Sequence, residues 1–162
     1  LELEDISVGE LVASVLKMAA AELRAAGVHV AIAVPDDLPP VRGDLIHLQQ
    51  VLLNLVRNAA EAMDKLPPLR RILTIFGHRA GDLVALSFDD RGPGVPEARQ
   101  PMLFEPFFTT KAHGTGLGLS TSLRIVQAHG GTLGYETNRH GGARFVLNLP
   151  VAGTGASGTR ST

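Results

Sequence analysis

Three groups of residues in this chain have types and spacings suited to chemistry. Asn54 and Asn58 stand four residues apart inside an apolar helical stretch. Asparagine is an indifferent interior helix residue, so two of them one turn apart need a reason. A solvated helix face is one. The other is ligation, since the carbonyl oxygen of asparagine suits a hard cation such as Mg²⁺, which keeps waters and shares ligands with phosphates. The second group is Asp90-Arg91-Gly92-Pro93-Gly94. A carboxylate at a strand end before such a turn can be turn chemistry alone. It can also accept a hydrogen bond from the amino group of a base, while Gly92 and Gly94 let the base lie against bare backbone. The third group is Gly114-Thr115-Gly116-Leu117-Gly118-Leu119-Ser120, followed by an apolar helical period. Glycines opening a helix expose N–H groups that, with the helix dipole, favour an anion. Just upstream, Lys111 is either a surface lysine or a mobile cation for phosphate.

These groups need elements to hold them. Leu1, Leu3 and Ile6 alternate with acidic residues as in a short strand, and Ser7 with Glu10 has capping-box spacing for a helix over 7–26. The alternation of Val28, Val30, Ile32 and Val34 predicts a strand, ended by Pro35 and the Pro39-Pro40 pair. Asp44 can cap a second helix through about residue 64. Its core face is Leu45, Leu48, Leu52, Leu55, Ala59 and Met63; a narrow polar row of Gln50, Asn54, Asn58 and Glu61 runs beside it. Residues 72–76 and 83–88 read as paired strands around a turn at 78–82, the second delivering Asp90. A short helix is expected over 96–103. Phe104, Phe107 and Phe108 then anchor a polar segment, 109–116, built like a lid. A helix to about Ala128 and closing strands at 132–137 and 145–149, with a turn at 138–142, complete a domain over 1–150. Residues 151–162 read as a flexible tail or linker.

Composition narrows the classes. The 162 residues are 44% hydrophobic and 19% charged, as in a globular domain rather than a disordered chain. A net charge of −1 gives no electrostatic footprint for nucleic acid. There is no cysteine, hence no disulfide framework or thiolate metal site, and a cytoplasmic setting fits. No apolar run reaches the roughly 18 residues of a membrane span, so no membrane contact is expected. The first residue is leucine, which predicts a piece of a longer chain.

With these motifs assembled, the chain resembles the catalytic and ATP-binding domain of bacterial sensor histidine kinases. Residues 50–63, QVLLNLVRNAAEAM, are similar to the N box; 90–94, DRGPG, to the G1 box; 104–107, FEPF, to the F box; and 114–119, GTGLGL, to the G2 box. The wording EPFFTTK before GTGLGLS is nearest to the nitrogen-regulation and dicarboxylate- or oxygen-sensing branch. The resemblance implies an α/β two-layer sandwich of the gyrase, chaperone and histidine-kinase ATPase type, the Bergerat fold, with a mixed sheet covered on one face by helices. It implies ATP and Mg²⁺ as cofactors, Asn58 as the metal ligand and Asn54 as the polar residue one turn earlier. Asp90 would contact the adenine amino group beside Gly92 and Gly94. Lys111 and the segment Gly114, Thr115, Gly116, Leu117, Gly118 and Leu119 would hold the triphosphate.

The implied activity is donation of the γ-phosphoryl group to a histidine on a preceding dimerisation domain, then to a response regulator. None of the six histidines has the acceptor context, so the fragment carries no certain catalytic residue of its own and is expected to be monomeric. Three positions depart from the family pattern: Arg91 replaces a common asparagine, Glu61 a common base, for which Arg57 could substitute, and Ala143 a frequent threonine. Two other readings stand beside this one. A gyrase- or mismatch-repair-type ATPase would need a glutamate at position 54, where this chain has asparagine. A nucleotide-sensing module without transfer would not need all the motifs kept here.

Overall fold

The computed structural model describes residues 1–108 and 118–153. Along the chain it forms β1 (Glu4–Ile6), α1 (Val8–Met18), α2 (Ala20–Ala25), β2 (His29–Ala33), β3 (Val41–Gly43), α3 (Leu45–Ala62), β4 (Ile72–Ala80), β5 (Leu83–Asp89), α4 (Gly118–Ala128), β6 (Thr132–Thr137) and β7 (Ala143–Pro150). 3₁₀ segments lie at Pro68–Arg70, one turn, and Glu97–Met102, two turns.

Five strands make one sheet in the order β2-β4-β5-β7-β6. β2 runs parallel to β4 and the other pairs are antiparallel, so the sheet is mixed as expected. Strand alternation sends Leu73, Ile75, Leu86, Phe88, Phe145 and Leu147 to one face, where they are buried with Leu11 of α1, Leu52 and Leu55 of α3, and Val126 of α4. The opposite face is polar. There Thr74, Asp89, Arg144 and Glu136 stand in register across four strands, and Arg144 donates to Asp89 at 2.8 Å and to Glu136 at 3.2 Å. Helices therefore cover one face only, the two-layer architecture the motifs imply.

The elements that carry the site start where local chemistry sets them. The Ser7 hydroxyl accepts the Glu10 N–H at the head of α1, and the Asp44 carboxylate accepts the His47 N–H at the head of α3. Three expectations need correction. The helix over 7–26 is two helices, because the chain turns at buried Ala19 (φ −93°, ψ 2°). The turn lets Ala19 and Leu23 continue the apolar side of α1 and leaves Met18 exposed. Residues 41–43, given no element in the sequence reading, form β3 and pair antiparallel with β1. Three residues are too few to display a period, and their partners lie far back in the chain. β4 runs on through Ala80, so the turn tightens to Gly81-Asp82, with Gly81 at φ +63°.

Packing continues past residue 150. Val151 is buried and bridges to Val41; its N–H donates to Asp82 O at 2.8 Å, and the Ala152 N–H donates to Pro40 O at 2.8 Å. Among the described residues no helix is long and apolar enough to cross a membrane.

Candidate nucleotide-binding site

One helix ties the two ends of the site together. On α3, the Asn54 side-chain amide donates to Gly118 O at 3.4 Å and to the Ser122 hydroxyl at 3.2 Å, both in the first turns of α4. Ser122 is wholly buried, so this contact fixes α4 against α3. At its other end α3 meets the loop after β5. The Arg91 N–H reaches the Met63 sulfur at 3.3 Å, and a Cβ on Gly92 would lie 2.6 Å from Ala62 O. Glycine is required there by close approach of backbone to backbone. Asn58 lies midway, one turn after Asn54 and one before Ala62, each step about 6 Å along the axis. The structure thus brings Asn54, Asn58, Gly118 and the Asp90 loop along a single face of α3.

Glu61 lies seven residues after Asn54, which on a helix of 3.6 residues per turn is about 20° from it, so the polar row holds. Glu61 stands at the edge of that row and also lines a groove of about 250 Å³ between α2 and α3, together with Glu22, Leu23, Val56, Arg57 and Ala60. That groove includes none of Asn54, Asn58 or Asp90. Arg57, considered for a phosphate contact, is committed to this side: it makes a two-pronged ion pair with Glu22, at 2.6 and 2.9 Å. The pair holds the Glu22 carboxyl below the usual carboxylate range.

Asp90 directly follows β5 and is 2% exposed, while Asp89, the last residue of β5, points to the outer face and pairs with Arg144. Alternation along the strand makes this division. The Asp90 Oδ1 accepts the Gly92 N–H at 2.9 Å and the Ala143 N–H at 3.1 Å, and the Asp90 N–H donates to Ala143 O at 3.0 Å. Ala143, where the family often has threonine, thus serves Asp90 through its backbone. Gly94 adopts φ +70°, and a Cβ there would lie 2.5 Å from Gly141 O. The turn between β6 and β7 therefore presses against the Asp90 loop. His140 in that turn is held below the ordinary histidine range, first by loss of surrounding water and then by the cations of Arg91 and Arg139.

Two residues of this arrangement escaped the sequence reading: Ser122, the partner of Asn54, and Asn138, whose amide bonds to the backbone of Asp90. A helix-interior serine and a turn asparagine carry no signal of such distant partners. Of the phenylalanine cluster, Phe104 packs edge-on against Phe145 with ring centres 6.4 Å apart, as an anchor should. Phe107 is 75% exposed and sits at φ +67°. Lys111, Gly114, Thr115, Gly116 and Leu117 lie outside the described residues; Gly118 and Leu119 open α4.

Residues 43–153 match the family model of the histidine kinase-, DNA gyrase B- and HSP90-like ATPases. The chain belongs to this family. Within it the relatives are sensor kinases. The C4-dicarboxylate transport sensor protein DctS of Rhodobacter capsulatus is 37% identical over 155 residues, covering 96% of this chain and 24% of that protein. The sensor protein FixL of Bradyrhizobium diazoefficiens is 43% identical over 112 residues, 69% of this chain and 22% of FixL. The chain thus spans about a quarter of the length of these relatives. The catalytic domain of histidine kinase ThkA superposes with a TM-score of 0.80 at 30% identity, over 93% of this chain and 99% of that domain. ThkA solved in complex with the response regulator protein TrrA matches at 0.79 and 29%, over 94% of this chain and 42% of the ThkA chain. The family ATPase domain of sensor histidine kinases is what residues 43–153 encode.

Proposed function

We propose that the chain binds Mg-ATP between α3 and the start of α4 and, within a longer sensor kinase, presents the γ-phosphoryl group to a histidine on that kinase's dimerisation domain. A response-regulator aspartate then receives it. The observation that carries this reading is the double anchorage of α3, to Gly118 and Ser122 through Asn54 and to the Asp90 loop through Ala62 and Met63. It supports a metal role for Asn58, a hard oxygen donor, between a helix start suited to phosphates and a carboxylate suited to an amino group.

The residues have distinct tasks in this proposal. Asp90, with Oδ1 held by two backbone N–H groups, accepts from the adenine amine, and Gly92 and Gly94 let the ring lie close to the main chain. Asn54 fixes the start of α4, where Gly118 and Leu119 would join Gly114, Thr115, Gly116 and Leu117 as the phosphate contacts, with Lys111 as the cation. Among the described residues no cluster of three or more His, Asp or Glu could hold a metal. A single asparagine oxygen, with phosphates and waters filling the other positions, fits Mg²⁺, which seldom uses an all-protein cage. When bound, the ion supplies charge neutralisation on the phosphates. Residues 1–150 act as one ATP-binding domain on the cytoplasmic side of the parent. The Asn54 side chain is a neutral carboxamide that cannot take a proton from water, so hydrolysis by the chain alone should be slow.

Titration calorimetry with ATP, with and without Mg²⁺, tests the reading. The chain should bind ATP more tightly with Mg²⁺; Asn58→Ala should lose that difference, and Asp90→Asn should weaken ATP by about tenfold, as for a lost bond to a charged group. Wild-type affinities for Mg-ATP in both variants would remove the proposal. Transfer of the γ-phosphoryl group to a supplied dimerisation domain bearing the acceptor histidine tests the second half.

A further inference from the structure

The turn joining β6 to β7 is organised around one buried side chain. Asn138 is 8% exposed. Its amide nitrogen donates to Asp90 O at 2.9 Å and to Ala143 O at 3.2 Å. Its amide oxygen accepts the N–H groups of His140 and Gly142, each at 3.0 Å. Two donors and two lone pairs are the full capacity of a carboxamide. Flipping the group would set oxygen against two carbonyls and NH₂ against two N–H groups, so only one orientation is satisfied.

The four partners are not all within the turn. Asp90 lies 48 residues earlier, at the end of β5. The turn also touches the Asp90 side chain: a Cβ on Gly142 would lie 2.3 Å from Asp90 O and 2.9 Å from Oδ1. The Ala143 N–H, one of the two that hold Oδ1, follows directly in the chain. Asn138 therefore clasps the backbone on both sides of the bond that orients the carboxylate. A turn needing only closure would be served by the amide oxygen and by the Gly141 N–H to Asn138 O bond at 2.9 Å. The amide nitrogen adds a tether from the turn to Asp90.

We propose that Asn138 is a positioning residue for base recognition, setting the direction of the Asp90 carboxylate and with it the preference of the site for a purine bearing an exocyclic amino group. The inference rests on Asp90 being the base acceptor. Asn138 touches no nucleotide itself; its effect passes through Asp90 and Ala143.

The test compares ATP with purine riboside triphosphate, which lacks the 6-amino group, in the wild-type chain and in Asn138→Ala, Asn138→Ser and Asp90→Asn. Serine keeps an acceptor for the turn amides but cannot span to Asp90 O. The wild type should prefer ATP by about tenfold, the size of one hydrogen bond to a charged group, and both Asn138 variants should lose most of that ratio. A merely structural asparagine would weaken both ligands equally and leave the ratio intact. If the ratio survives in the Asn138 variants but collapses in Asp90→Asn, the inference is overturned alone. A ratio that survives Asp90→Asn as well removes the base reading, and this inference with it. Should Asn138→Ala fail to fold, Asn138→Ser decides, read also by amide hydrogen exchange without nucleotide. Protection of the Gly92 and Ala143 N–H groups should fall in it relative to the sheet interior, and unchanged protection would count against the tether.

Discussion

Whether a glycine in this chain matters is decided by what a methyl group would meet. At Gly92 it meets the Ala62 carbonyl at 2.6 Å, and neither backbone can retreat without parting α3 from the Asp90 loop. At Gly134, in β6, it meets nothing within 4 Å. Gly92→Ala should thus cost about 1–3 kcal/mol, the range for overpacking, and weaken ATP as well. Gly134→Ala should be neutral on both counts, and thermal unfolding with an ATP titration separates them. The same scale shows what sequence could reveal. Asp90, Gly92, Asn54 and Asn58 were legible because their types are unusual for their positions and their spacing is local. Asp90 was singled out from Asp89 by the DRGPG motif it opens, and the structure shows why the two differ: alternation turns Asp89 to the outer face. Ser122 and Asn138 were not legible, since their meaning depends on partners 68 and 48 residues away.

Helix ends are where the elements are joined. The Asp44 carboxylate accepts the N–H groups of His47 and Glu2, and its own N–H donates to His129 Nε2 at 3.0 Å. The His129 Nδ1–H in turn donates to Ile125 O at 2.7 Å, which fixes the tautomer. The head of α3, the residue just past α4 and the segment leading into β1 thus meet at one residue. The Glu2 amide first, then the His47 amide, hold the Asp44 carboxyl below the ordinary aspartate value. A depressed folded-state value stabilises fully above the unfolded value and is lost as pH falls through the folded one. Asp44→Asn, which still caps, should therefore show a shallower drop in melting temperature from neutral to acid pH than the wild type. Equal slopes would refute this. At the opposite ends, Arg71 donates to Ala26 O, Asp64 O and Leu66 O, the carbonyls trailing α2 and α3. Arg71→Met, which keeps the stem, should cost about 1–3 kcal/mol in urea unfolding, as expected when bonds to a charged group are lost. Nothing in the sequence separates Arg71 from Arg70, and the break at Ala19 was equally hidden, because both depend on what packs beyond the segment.

At the scale of the molecule, the order of layers was what the family resemblance implied, and the strand alternation agrees with it because most strands here carry one apolar face. Alternation could not predict which strands pair: the order β2-β4-β5-β7-β6 places β7 beside β5 and joins β2 to β4 in parallel across α3. The miniature sheet of β1 and β3 also lay beyond reach, since its strands have three residues each and pair across a long separation. Val41 has Ile6 as its partner on one side and Val151 on the other, so Ile6 and Val151 stand about 10 Å apart at ordinary strand spacing. Asp82, which takes the Val151 N–H, is at the far end of β5 from Asp90, a strand length of about 27 Å. A circularly permuted chain, with Gly153 linked to Leu1 by a few glycines and reopened between Pro35 and Pro40, should accordingly fold and retain the affinity for ATP. The same cut made between Asn138 and Gly142 should abolish that affinity while leaving the helical layer assembled, because this joinery and the proposed ligand cleft lie at opposite ends of β5.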